Sequence, residues 1–276
     1  MNTTKLIVFC TLTLIVTTCY AQQKVEDLIA AEKSFASYAL ANNTKDAFLN
    51  SIDSSAMHLD NKGNAINGLE FWTKAEKRNA KLSWMPQYAE ISSSGNFGYT
   101  TGPWYLYQSS LKDTPVARGQ FVTIWHLNNQ NKWKFLLDLG ISYKSKEHAK
   151  SSASVVTNVI KKFTLNNPVD LISIDNDFIK QYEQKGSSTY KDFLSDNSRV
   201  NIEGFLPAVT KAQREKLLSS LPAGLTFSPL GSFISTVNDL GVVYGSTLLN
   251  GKKERYLRIW RKEKNRWRIA LEVLHY

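Results

Sequence analysis

Phe121-Val122-Thr123-Ile124-Trp125 and Tyr256-Leu257-Arg258-Ile259-Trp260 are one pattern written twice. Each runs into a short polar tip, Asn128-Asn129-Gln130-Asn131 in the first case and Glu263-Lys264-Asn265 in the second. Each is answered by a second run, opening on Trp133-Lys134 or Trp267-Arg268 and reaching an acid at Asp138 or Glu272. Two β-branched and aromatic runs around a polar turn predict an antiparallel hairpin. Because an internal repeat governs the whole reading of a chain, the search for further matches works outward from this pair.

Upstream, Leu28-Ile29, Glu32, Phe35 and Tyr38 match Leu171-Ile172, Asp175, Phe178 and Tyr182. The helical spacing of the apolar members predicts an amphipathic helix in each half. Phe48-Leu49 and Phe193-Leu194 predict a second, short helix. The stretches Asp53–His58 and Asp196–Asn201 read as a turn entering a strand, and Gly98-Tyr99 and Gly102 match Gly241-Val242 and Gly245. The order helix, helix, strand, long strands therefore occurs twice. The fold class is α+β, with units over residues 24–143 and 168–276. A polar linker is expected over 144–167, with a short helix at Val155–Phe163.

The N-terminus reads separately. Met1–Lys5 carries one positive charge, Leu6–Val16 is mostly apolar, and Cys19-Tyr20-Ala21 precedes Gln22-Gln23. That layout predicts a secretory signal over residues 1–21 and a periplasmic or secreted product. The apolar run is shorter than the roughly 20 residues that span a bilayer. No later segment is apolar enough to cross one. Val16-Thr17-Thr18-Cys19 resembles a lipoprotein signal, with Thr18 a poor fit, so lipid anchoring at Cys19 is the less favoured reading. Both cysteines, Cys10 and Cys19, fall in this leader. The remainder has no disulfide or thiolate available and must be held together by its core.

The formal charge is +10. Many late basic residues, among them Lys252, Lys253, Lys264 and Arg266, cluster about one hairpin tip and read as solvated, so no nucleic-acid partner is expected. His58, His126, His148 and His275 show no metal-ligand spacing. No phosphate-cradling glycine loop or serine nucleophile elbow is present, so neither metal nor cofactor is expected.

Taken together, the Glu32-x-x-Phe35 helix, His58-Leu59-Asp60-Asn61-Lys62-Gly63 leading to Gly68, Gly95–Trp104 and the hairpin from Gly119 to Asp138 resemble the nuclear transport factor 2 superfamily. The resemblance is to its SnoaL-like or ketosteroid-isomerase-like branch, and it covers about Val25 to Tyr143. The second half departs from it, with Leu206-Pro207 to Pro222 where the first has Gly102-Pro103-Trp104. The resemblance implies a cystatin-like cone, in which a curved antiparallel sheet wraps a long helix and leaves a pocket at its mouth. It does not imply one activity, since that branch includes isomerases, dehydratases, cyclases and non-catalytic adaptors.

Candidate site residues follow from strand alternation. If Trp260 faces Trp267, then Tyr256, Arg258, Ile269 and Leu271 share their face, and Arg255, Leu257, Ile259, Arg268, Ala270 and Glu272 take the other. The first half gives Phe121, Thr123, Trp125, Trp133, Phe135 and Leu137 against Gln120, Val122, Ile124, Lys134, Leu136 and Asp138. The aromatic face is expected to point inward. Arg258 is then a guanidinium among aromatics, either an anion clamp for a ligand or the partner of an acid from the helix. Asp138 reads as a general base or half of a cross-strand pair, as does Glu272 with Arg255. His58 reads as an acid or base near neutrality, or as a satisfied histidine. Tyr99, Trp104 and Trp125 read as pocket walls or as core. Three functions fit: a small-molecule-binding module, a cofactor-independent isomerase, dehydratase or cyclase using His58 or Asp138, and a structural module, with a homodimer possible.

Overall fold

The structure, a computed structural model, describes residues 24–144, 155–160 and 169–276. The leader over 1–21 and most of the linker lie outside the described residues. Helix α1 covers residues 24–41 and buries Leu28, Glu32, Phe35 and Ala39, a stripe at three- and four-residue spacing. Helix α2 (Thr44–Ser51) is capped by Asn43, whose side chain accepts from the Asp46 amide. Then follow β1 (Met57–Leu59), β2 (Ala65–Asn67), α3 (Gly68–Lys74), β3 (Lys81–Trp84), β4 (Tyr88–Ile91), β5 (Phe97–Tyr107), β6 (Ala117–Leu127) and β7 (Trp133–Ser142). Residues Val156–Val159 form β8, a strand parallel to β4, where the sequence reading expected a short helix. Val156, Val159, Ile160 and Phe163 do stand at helical spacing, but the β-branched Val156, Thr157 and Val159 fit an edge strand, and the pairing with β4 decides the outcome.

Helix α4 (Leu171–Lys185) opens the second half. Its Asp170 cap accepts from the amides of Ile172 and Ser173, and its buried stripe is Leu171, Asp175, Phe178, Ile179 and Tyr182. A 3-10 turn (Gly186–Thr189) leads to α5 (Tyr190–Phe193), β9 (Leu194–Ile202), α6 (Lys211–Ser219), β10 (Thr226–Ile234), β11 (Leu240–Leu249), β12 (Lys252–Glu263) and β13 (Arg266–Leu274). The chain is thus mixed α+β, with helices lying on two curved, mainly antiparallel sheets. One large sheet has the order β7-β6-β5-β4-β8, with β3 also pairing β5; the other has the order β10-β11-β12-β13-β9; β1 and β2 form a separate two-stranded sheet.

Each sheet has a helix on one face and the other sheet on its opposite face. On the first helix face, Phe121, Trp125 and Phe135 pack with Leu28, Phe35 and Phe48. On the second, Tyr256, Trp260 and Ile269 pack with Phe178 and Tyr182. The intervening strand residues Val122, Ile124, Leu257 and Ile259 join one common core between the sheets. The two halves are therefore fused through apolar surface, which is the main favourable term in folding.

Charged groups cross the same seam. Arg261 donates to both Glu90 oxygens (2.7 and 2.9 Å), and Tyr88, Tyr99 and Asn158 donate to the same carboxylate. Ser93 meets Asp239 through its amide (2.9 Å) and hydroxyl (2.5 Å).

The hairpins form as expected, but not in the register alternation predicts. Trp260 pairs Ile269, and Trp267 pairs Lys262. In addition, Ile259 pairs Leu271, so Ala270 is an extra residue; Ile124 pairs Leu137 while Trp125 pairs Phe135, so Leu136 is extra in the same place. A β-bulge flips the phase of everything beyond it. Leu137 and Leu271 therefore turn into the inter-sheet core, the reverse of the expected assignment. Asp138 and Glu272 turn onto the helix side, opposite Thr123 and Arg258.

Candidate functional site

The consequence of that flip is clearest in the second half. Asp175, from the buried stripe of α4, and Glu272, turned inward beyond the bulge, both meet Arg258. The guanidinium donates through Nε and Nη2 to Glu272 (2.7 and 2.8 Å) and through Nη1 to Asp175 (2.8 Å). Trp260 Nε1 (2.9 Å) and the Tyr256 hydroxyl (2.8 Å) complete the donors to Asp175. Arg258 also lies over the Phe178 ring, 4.0 Å from its centroid. All three charged residues are 0% exposed. A bidentate arginine between two carboxylates satisfies the charges that burial would otherwise leave uncompensated. Arg258 is thus not an open anion clamp; its partner is the helix acid, and no part of it faces solvent. Nor does Glu272 pair with Arg255.

The first half keeps the acids and lacks the arginine. Glu32 occupies the place of Asp175 on α1, and accepts from Trp84 Nε1 (2.5 Å), Thr100 Oγ1 (2.5 Å) and Trp125 Nε1 (2.9 Å). Asp138 occupies the place of Glu272. Thr123 stands where Arg258 would be, and its hydroxyl donates to Asp138 Oδ1 at 2.7 Å. No described residue donates to the other Asp138 oxygen, and neither acid forms an ion pair among the described residues. Burial raises the Asp138 carboxyl to about 7, with the Thr123 bond opposing and the Glu32 charge adding to the rise. Burial raises Glu32 as well, against the bonds it accepts from Thr100, Trp84 and Trp125.

There is space beside Asp138. A cavity of about 360 Å³ is lined by Phe35, Phe48, Leu82, Trp84, Trp104, Leu106, Phe121, Asp138, Gly140, Ser142 and Arg255. Trp104 forms one wall and is fixed by its Nε1 bond to the Ile141 carbonyl (3.1 Å). Gly119 and Gly140 admit that ring, for a Cβ on Gly119 would sit 2.6 Å from the indole. A wider groove of about 740 Å³ shares Leu82 and Leu106 and continues past Phe71, Trp72 and Glu70 on α3. The size and the ratio of apolar wall to polar groups suit a small-molecule site.

The other expected residues lie elsewhere. Tyr99 is buried in the inter-sheet core, where its hydroxyl donates to Glu90 at 2.8 Å; it is not a wall of this cavity. Trp125 is buried outside the lining, and its Nε1 donates to Glu32. His58 on β1 stacks on Phe71, with centroids 3.7 Å apart and planes 9° apart, and is absent from the cavity lining. Burial, and then the Arg255 charge, depress its pKa to about 4. At neutral pH it is uncharged.

Glu32 was not among the sequence-derived site residues. Its signal was present: an acid inside the apolar stripe of a helix, repeated at Asp175, is a buried charge that demands a partner. No group of three His, Cys, Asp or Glu among the described residues could hold a metal ion.

No family model and no curated protein matches the chain. Solved structures resemble parts of it. A de novo designed protein with a curved β-sheet is 17% identical over 38% of this chain and 99% of its own, with a TM-score of 0.33. An NTF-2 like protein of unknown function from Shewanella oneidensis is 21% identical over 42% of this chain and 96% of its own, with a TM-score of 0.33. A cystatin-like protein of unknown function from Nostoc punctiforme is 11% identical over 37% of this chain and 85% of its own, with a TM-score of 0.30.

Proposed function

We propose that this is an exported protein of two related units, in which the first binds a small, partly apolar molecule and the second is its closed counterpart. The observation that carries the binding reading is the cavity itself: aromatic walls from Phe35, Trp84, Trp104 and Phe121 around one carboxyl, Asp138. The matched hairpins, with a bulge at the same point of each, support common descent of the units. The layout of residues 1–21 supports export. An N-terminus at Gln22 in protein recovered from its own host would agree with that, and a retained Met1 would not.

The binding reading is tested by native mass spectrometry of the full protein from its own host, set against the denatured chain. A small molecule that is released on denaturation is expected, and is expected to be lost from Ser142→Phe, which fills the mouth of the cavity. An empty protein that also takes up no indole by calorimetry would refute the reading.

A second reading, a cofactor-independent isomerase or dehydratase, draws on Asp138 alone. Its pKa lies near neutrality and one oxygen has no donor among the described residues, the state a general base requires. His58 has no part in it. Turnover of the recovered ligand that persists in Asp138→Asn would remove this reading.

A further inference from the structure

Resting on the reading of the first unit as a small-molecule site, we infer that its ligand carries a cationic nitrogen, an ammonium or amidinium, on an aromatic or aliphatic body. The argument is an internal comparison. The two units present the same frame: an acid from the long helix, an acid from the strand beyond the bulge, a tryptophan donating to the helix acid, and aromatic rings around them. In the second unit the position between the acids is filled by a guanidinium of the chain itself, bidentate to Glu272 and bonded to Asp175. In the first unit the residue at that position is Thr123, which reaches Asp138 with one hydroxyl and brings no charge. The cavity is bounded by Asp138 and Phe35, the counterparts of the Glu272 and Phe178 that hold Arg258, and it shares Leu82 and Leu106 with the outer groove. A ligand nitrogen entering there meets the unpartnered oxygen of Asp138.

The walls agree. Arg258 lies 4.0 Å from the Phe178 centroid, and Phe35 is the residue that corresponds to Phe178. Phe35, Trp84, Trp104 and Phe121 offer ring faces and edges to whatever fills the cavity, and such faces attract cations as well as apolar groups. Two groups besides Asp138 bear on the charge balance. Glu32 faces Asp138 from α1 and adds negative charge. Arg255 lines the cavity from β12; one of its Nη atoms donates to Asn61 Oδ1, and Glu254, Glu203 and Asp60 are the acids that bear on its charge. Asp138 and Glu32 form no ion pair among the described residues, and Arg255, the basic side chain of the lining, is bonded to Asn61 rather than to either acid, so a ligand cation is what would neutralise them.

Benzamidinium and its neutral near-isostere benzamide test this on the full protein by calorimetry. At pH 8 benzamidinium is expected to bind at least about tenfold more tightly, the scale of a hydrogen bond between charged partners. The preference is expected to shrink toward pH 5.5, as Asp138 takes up a proton, and to vanish in Asp138→Asn at any pH. Thr123→Arg, which rebuilds the second unit's arrangement in the first, is expected to fold and to exclude both probes. Equal binding of the two probes, or a preference unchanged in Asp138→Asn or Thr123→Arg, overturns the inference and leaves the pocket standing. Binding of indole but of neither probe has the same meaning. If indole fails as well, the pocket reading falls with it.

Discussion

Replacing Asp138 with Asn should stabilise the protein at alkaline pH and do little in acid. The carboxyl is raised from its ordinary 3.8 to about 7 because burial disfavours its charged form. In the unfolded chain it is an ordinary aspartate. Between pH 4 and 7 the native state therefore binds a proton that the unfolded state has lost, so stability falls as pH rises through this window and levels off above it. At 1.36 kcal/mol per pH unit, the span from 3.8 to about 7 corresponds to a cost on the order of 4 kcal/mol at pH 8. Asparagine keeps the oxygen that accepts from Thr123 and has no charge to bury. Urea denaturation of both proteins at pH 5 and pH 8 measures the effect. The variant should be more stable by about 4 kcal/mol at pH 8, with the gap narrowing to about 1.5 kcal/mol at pH 5. A variant that is less stable than the parent by the same amount at both values would refute the account of Asp138 as a buried, unpaired acid.

Two further substitutions probe the charges that are paired. Arg258→Met leaves Asp175 and Glu272 facing each other without a cation, and should cost about 3–5 kcal/mol at pH 8 in chemical denaturation. The loss should be smaller at pH 5, where the orphaned acids can protonate; a pH-independent loss would mean that packing of the alkyl stem dominates. Glu90→Gln breaks the Arg261 pair at the seam between the sheets, and should cost about 3–5 kcal/mol while far-UV circular dichroism stays native. Calorimetry should still show one transition, since the shared apolar core remains, and a split into two would show that the ion pair rather than the core couples the halves.

The hairpins were legible because the pattern from Phe121 to Trp125 recurs at Tyr256 to Trp260, and strands of that composition leave little alternative. The long helices were legible for the same reason, through Phe35 and Phe178. What alternation could not deliver was the side on which Asp138 and Glu272 fall. A single extra residue, Leu136 or Ala270, reverses the phase, and the only trace in the sequence is a local break of alternation: Phe135-Leu136-Leu137 and Ile269-Ala270-Leu271 are apolar where one residue in each should be polar. Tyr99 failed as a pocket residue because both faces of these sheets are covered, so an aromatic on a strand has two cores to choose between. β8 was missed because its pairing with β4 is long-range, and four residues carry too little pattern to announce it.

The placement of charge gives the two halves of the chain different energetics. In the second, the cost of burying Asp175 and Glu272 is offset by Arg258, and the space between them is closed. In the first, the same two positions stay acidic with no cation beside them, which raises the free energy of the empty fold. Sequence drift would readily remove such a cost, since Asp138→Asn or Thr123→Arg each relieves it with a single residue. Tyr99 and Arg261 converge on Glu90 in the seam, so the closed unit is braced directly against the strands that bear Trp104 and Thr123. The sheet that carries Asp138 is packed on its other face against the second sheet through a shared apolar core, so closing the cavity would require that core to repack as well.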